Sequence, residues 1–134
     1  MRVLGIHHVG VAVENLDEAV STYERLLGGT LERRAVVAEQ GVELAIVRVG
    51  GDRVELLAAT ESDTAVGRFL AKRGPGMHHV AYEVADVAAA LDELAAAGAE
   101  LIDDAPRDGL DGLQVAFVQP GSMHGVLTEV VSGA

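Results

Sequence analysis

The sequence predicts an α+β domain of two tandem βαβββ modules. Their strands are expected to form one curved, mixed and mostly antiparallel sheet, an incomplete barrel around a central cleft. Three observations predict this. First, Gly5-Ile6-His7-His8-Val9-Gly10-Val11-Ala12-Val13 returns 71 positions later as Gly76-Met77-His78-His79-Val80-Ala81-Tyr82-Glu83-Val84. Second, each copy is followed by a helical pattern and then by three extended stretches. Third, Gly74-Pro75-Gly76 punctuates the chain between the halves. Repetition over such a span marks a duplicated structural unit that cannot bury its apolar face alone.

The elements follow in order. Residues 6–13 read as a strand, with Val9, Val11 and Val13 on one face and small residues on the other. Asn15 is a helix N-cap, with Asp17 and Glu18 in the first turn. Val20, Tyr23, Leu26 and Leu27 form an apolar stripe, and Gly28-Gly29 stops the helix. Strands are expected at 30–38, 42–49 and 53–59. Residues 60–73 read as a short helix carrying Val66, Phe69 and Leu70 inward. The second module opens with a strand at 78–84. Its helix is capped by Asp86 and striped by Val87, Leu91, Leu94 and Ala97, and Gly98 ends it. Strands are then expected at 99–102, 113–118 and 125–131. The modules divide as residues 1–59 and 77–134, joined by the helix and linker at 60–76.

Composition bounds the function. The chain has 134 residues and is 49% hydrophobic, enough for one ordinary core. Two tyrosines and two phenylalanines are its only aromatics, so Val, Leu and Ala do the packing. Without cysteine there is no disulfide, thiolate ligand or cysteine nucleophile, and any metal needs nitrogen and oxygen donors. The net charge of −11 argues against nucleic acid as a partner. No segment has the length of a membrane span or the pattern of a signal peptide, so a soluble, cytoplasmic protein is expected.

Strand alternation separates the members of each histidine pair. His7 and His78 share their faces with Val9, Val11 and Val13, and with Val80, Tyr82 and Val84. Those bulky faces belong against helices. His8 shares its face with Gly10 and Ala12, and His79 with Ala81 and Glu83. Small neighbours leave room for a ligand, which assigns His8 and His79 to the cleft. The last strand of each module then carries one acid in an apolar run, Glu55 in Val54-Glu55-Leu56-Leu57 and Glu129 in Leu127-Thr128-Glu129-Val130. An acid there is costly unless it is paired or bound to a cation. His8, Glu55, His79 and Glu129 thus form a candidate ligand set for Co²⁺, Mn²⁺, Ni²⁺, Fe²⁺ or Zn²⁺. Such an ion, with positions left open, serves as a Lewis acid for a developing enolate.

With these residues in place, the chain resembles the vicinal oxygen chelate superfamily, which is glyoxalase-like, and more narrowly the methylmalonyl-CoA epimerases. The resemblance spans nearly the whole chain. It rests on the two histidine strands, Glu39-Gln40-Gly41-Val42, Val54-Glu55-Leu56-Leu57, the helix Ala65–Arg73 running into the second histidine pair, and Gly125-Val126-Leu127-Thr128-Glu129. Carried over by position, the family's metal ligands fall on His8, Glu55, His79 and Glu129, although some members have Gln where this chain has Glu55. The resemblance implies an isomerase that interconverts the C2 epimers of methylmalonyl-CoA, an acyl-CoA thioester, with Co²⁺ the foremost metal and a homodimer as the assembly. It also implies two acid/base glutamates on opposite faces of the substrate. Glu129 is one candidate. Glu43 is the expected second, with Glu39 as the alternative.

Rival readings differ in class. A lactoylglutathione lyase-like isomerase also uses a four-ligand site. An extradiol dioxygenase resembles a three-ligand iron site and fits less well. A metal-free, drug-sequestering binding protein of the same build generally lacks the ligands that this chain has. Arg33, Arg34, Arg48, Lys72 and Arg73 are candidate counter-charges for coenzyme A phosphates, each with an ordinary solvated role as the simpler account. His124 reads as a surface turn residue.

Overall fold

The computed structural model describes residues 1 to 133. In chain order the elements are β1 (Val3–Ala12), α1 (Leu16–Leu27), β2 (Thr30–Val37), β3 (Val42–Val49), β4 (Asp52–Ala59), α2 (Ala65–Arg73), β5 (Gly76–Val84), α3 (Val87–Ala96), β6 (Arg107–Asp108), β7 (Gln114–Val118) and β8 (Thr128–Ser132). The strands of the first module are ordered β2-β3-β4-β1 and those of the second β5-β8-β7-β6, each set mixed in direction. β1 runs parallel to β4, and β5 runs parallel to β8. The pairings of β2 with β3, β3 with β4, β6 with β7 and β7 with β8 are antiparallel. By compactness the chain falls into one unit of His8–His78 and a second made of Met1–His7 and the chain from His79 onward.

In the His8–His78 unit, α1 starts where Asn15 accepts a hydrogen bond from the Glu18 amide at 2.9 Å. It ends at Gly28, whose φ of 65° places it in the left-handed region. Leu16 and Val20 are buried with Ala45, Val47, Leu56 and Ala58, and Tyr23 packs against them. The buried stripe therefore begins at Leu16, one turn earlier than expected. Leu26 and Leu27, expected on it, are exposed. Positions 16, 20 and 23 have the spacing of a single helix face, whereas Leu26 turns away from it. In α2 the Thr64 hydroxyl caps the helix by accepting from the Gly67 amide at 3.0 Å.

In the second unit, Asp86 caps α3 by accepting from the Ala89 amide at 3.2 Å. Val87, Ala90 and Leu91 pack on Val84, Ala116 and Val130. The other face of the same strands buries Ala81, Val115 and Val131. Two expected strands differ. Residues 99–102 form no strand, and only Leu101 bridges to Val118. The edge of β7 is satisfied there by a side chain, the Asp103 carboxylate accepting from the Phe117 amide at 2.8 Å. The short β6 at Arg107–Asp108, which was not expected, supplies the remaining pairing. β8 begins at Thr128 rather than at 125, because the Gly125 and Val126 amides bond back to the carbonyls of Pro120 and Met123 and keep the chain turning.

The repeat is visible in backbone torsion as well as in residue type. Gly5 and Gly76, the first residues of the two copies, both have a φ of 157°. L-residues rarely adopt this value, and glycine does so at little cost. No helix among the described residues is long and apolar enough to cross a membrane.

Candidate metal and catalytic site

Each unit carries a histidine and a carboxylate on two neighbouring parallel strands. In the His8–His78 unit, β1 carries His8 and β4 carries Glu55. The register sets Gly10 opposite Glu55. A residue without a side chain leaves the carboxylate free to extend along β1 toward His8. His8 Nε2 lies 3.6 Å from Glu55 Oε2, with His8 buried. In the second unit, β5 carries His79 and β8 carries Glu129, with Ala81 opposite Glu129. His79 Nε2 lies 3.5 Å from Glu129 Oε1, and both residues are buried.

The donor set fits a divalent ion. An N–H···O hydrogen bond is best near 2.9 Å, and both imidazole–carboxylate separations exceed that optimum. Two ligand atoms each about 2.1 Å from a shared ion stand roughly 3.0–3.4 Å apart at the angles of octahedral or tetrahedral coordination. The observed pairs are close to that spacing. A buried carboxylate on an apolar strand needs a compensating charge, and two carboxylates balance a divalent cation.

The partner histidines occupy the packing side. His7 is buried. His78 meets Phe69 of α2 edge-on, with ring centroids 5.0 Å apart, and the Arg73 guanidinium lies 5.7 Å from the same Phe69 ring.

Glu43 sits elsewhere. It shares its face of β3 with Ala45 and Val47, which pack against α1. It pairs with Arg34 at 3.5 Å. Arg34 also bonds Asp17 at the start of α1, and that hydrogen bond is the main cause of its raised guanidinium pKa. Glu55 stands opposite Ile46 and therefore on the other face of the sheet. The alternative, Glu39, lies in a 3₁₀ turn spanning Ala38–Gln40 and is exposed. Gly41 closes this turn at a φ of 63°, and a Cβ there would come within 2.3 Å of Thr64 Cγ2. Of the basic candidates, Arg48 is engaged by Glu32 at 3.1 Å and by the Gly51 carbonyl. His124 is exposed in a turn with a φ of 55°.

One residue group escaped the sequence reading. Phe117 of β7 is the cross-strand partner of Glu129. Its ring meets His79 edge-on, with centroids 5.8 Å apart. The Arg107 guanidinium lies 5.9 Å from the same ring and pairs with Asp103 at 3.1 Å. The usable signal was slight. Phe117 stands 71 positions after Ile46, which is likewise opposite the acid of its own module.

The chain is similar in sequence and fold to known proteins. The family description Glyoxalase/Bleomycin resistance protein/Dioxygenase superfamily matches residues 7–117. The chain is 35% identical to the mitochondrial methylmalonyl-CoA epimerase of Mus musculus, over 93% of this chain and 71% of that one. It is 32% identical to the ethylmalonyl-CoA/methylmalonyl-CoA epimerase of Cereibacter sphaeroides, over 93% and 95%. A solved methylmalonyl-CoA epimerase in complex with methylmalonyl-CoA and NH4+ superposes with a TM-score of 0.95 at 37% identity, covering 99% of this chain and 96% of that one. The chain belongs to the glyoxalase/bleomycin resistance protein/dioxygenase superfamily, with the vicinal oxygen chelate fold, and to the methylmalonyl-CoA epimerase family within it.

Proposed function

We propose that this protein is an epimerase that interconverts the two C2 epimers of methylmalonyl-CoA, and that His8, Glu55, His79 and Glu129 together hold its divalent metal, Co²⁺ foremost. The observation that carries the reading is the repeated imidazole–carboxylate pair, 3.6 Å apart in one unit and 3.5 Å in the other. When bound, the metal supplies Lewis-acid stabilisation of the negative charge that develops on the thioester oxygen.

The chain's own residues move the proton. The thioester acidifies the C2–H bond, and a carboxylate on one face takes that proton, leaving the electron pair delocalised as an enolate. A carboxylic acid on the opposite face returns a proton to C2 and inverts the centre. We assign these roles to Glu129 and Glu39. Glu39 is preferred to Glu43 because Glu43 faces α1 and is engaged by Arg34. The solvent-exposed turn of Glu39 lets its proton exchange with water between turnovers.

The test is deuterium incorporation at C2 of methylmalonyl-CoA in D₂O, with metal-stripped protein and then with added Co²⁺. Metal-dependent exchange that is lost in His8→Ala and His79→Ala is the expected result. Stoichiometric metal binding without exchange would sink the substrate assignment. A homodimer is proposed as well, supported by the exposed apolar residues Val3, Leu4 and Ile6 at the start of β1. Light scattering that gives a monomer mass would refute it. A cytoplasmic site of action accords with a free acyl-CoA substrate.

A further inference from the structure

Phe117 is held more tightly than its place near a sheet edge requires. Beyond it lies no full strand, because β6 covers only Arg107–Asp108. In the first module the equivalent residue, Ile46, pairs with Arg33 on the complete strand β2. In the second module three groups of residues 102–103 take over that task. The Ile102 and Asp103 amides donate to the Phe117 carbonyl at 2.9 and 3.3 Å. The Asp103 carboxylate accepts from the Phe117 amide at 2.8 Å through Oδ2. Its other oxygen, Oδ1, pairs with Arg107 Nε at 3.1 Å, and the same guanidinium lies over the Phe117 ring. Asp103 thus fixes both the backbone of Phe117 and the cation above its ring.

The other edge of this assembly is the candidate metal ligand. The Phe117 ring stands at 84° to the His79 ring, and its backbone is in register with Glu129. Edge-to-face contact constrains the rotation of both rings. A metal-ligating imidazole depends on outside partners to fix its orientation, and loss of such partners typically costs 10–100-fold in metal affinity.

We propose that Asp103, Arg107 and Phe117 act as a clamp that presets the His79 imidazole for metal binding. They are positioning residues, and Asp103 is the hub although it touches neither ligand. The proposal rests on the metal-site reading, but its central claim concerns the metal-free ring of His79.

The experiment has two arms. In metal-free protein, NMR follows the His79 ring carbon-bound protons in wild type, Asp103→Ala, Asp103→Asn and Phe117→Leu. Asp103→Ala is expected to shift and broaden the His79 signals from a distance. Asp103→Asn, which retains an acceptor for the Phe117 amide but loses the charge facing Arg107, is expected to lie between it and wild type. In the second arm, Co²⁺ titration against a competing chelator is expected to show binding weakened about 10–100-fold in Asp103→Ala and Phe117→Leu. Circular dichroism checks that each variant folds. If Asp103→Ala does not fold, Asp103→Asn and Phe117→Leu decide the question. His79 signals at their wild-type positions and widths in every folded variant would overturn the clamp, as would Co²⁺ affinities within two-fold of wild type. A wild-type protein that binds no Co²⁺ would refute the metal reading instead, while the NMR arm would still decide whether the ring is preset.

Discussion

Ala81 stands directly opposite Glu129 across the parallel pair of β5 and β8 and is fully buried. The same relationship joins Gly10 to Glu55 in the first module. In both places a residue with little or no side chain lies two positions beyond the histidine and directly opposite the carboxylate-bearing residue. Ala81 also packs with Val115 and Val131. Substituting Ala81→Val should therefore displace the Glu129 carboxylate and overpack this cluster, at a cost of about 1–3 kcal/mol. We expect a lower melting temperature and weaker Co²⁺ binding, read by calorimetry. Unchanged affinity would mean that the carboxylate does not depend on this space.

Metal should stabilise the fold. A ligand that binds only the native state at 100 times its dissociation constant adds about 2.7 kcal/mol. Chelation should accordingly lower the thermal midpoint of the wild type but leave that of His79→Ala unmoved. A midpoint insensitive to Co²⁺ in both proteins would count against the ligand set.

Glu39→Gln and Glu43→Gln should separate cleanly. A positioned acid or base contributes typically 10²–10⁴-fold, so Glu39→Gln should lose that much C2 deuterium exchange. Glu43→Gln should keep exchange within a few-fold. It gives up only a solvent-exposed pair with Arg34, which water screens. The opposite ranking would return the role to Glu43.

Gly41→Ala tests the turn that carries Glu39. The added Cβ would meet Thr64 Cγ2 at 2.3 Å, and the φ of 63° disfavours any side chain. We expect a stability loss of about 1–3 kcal/mol together with reduced exchange activity. Wild-type kinetics in the folded variant would show that the turn tolerates displacement.

Much of this site was legible because strand parity is a simple code. His8 with Gly10, and His79 with Ala81, announce which histidine has room beside it. The lone acids Glu55 and Glu129 stand out in apolar runs. The same parity also separates Glu43 from the site, since it shares odd numbering with Ala45 and Val47. The clamp at Phe117 was not legible. It depends on a carboxylate fourteen residues away replacing a strand, and the strand-like stretch Ala99-Glu100-Leu101-Ile102 gives no warning that a side chain will do that work. Ligand identity is written locally, whereas ligand support is assembled from loops whose path no periodicity encodes.

The torsion shared by Gly5 and Gly76 bears on how such a chain can be altered. Chemistry at a duplicated centre can be rewritten one half at a time, because a histidine exchanged for another residue leaves its strand intact. The two glycines offer no such latitude, since a side chain at either would strain the strand that delivers the ligand. They act as fixed typography around replaceable letters. A designer seeking new reactivity in this scaffold should vary the strand residues downstream of the two glycines and leave the glycines alone.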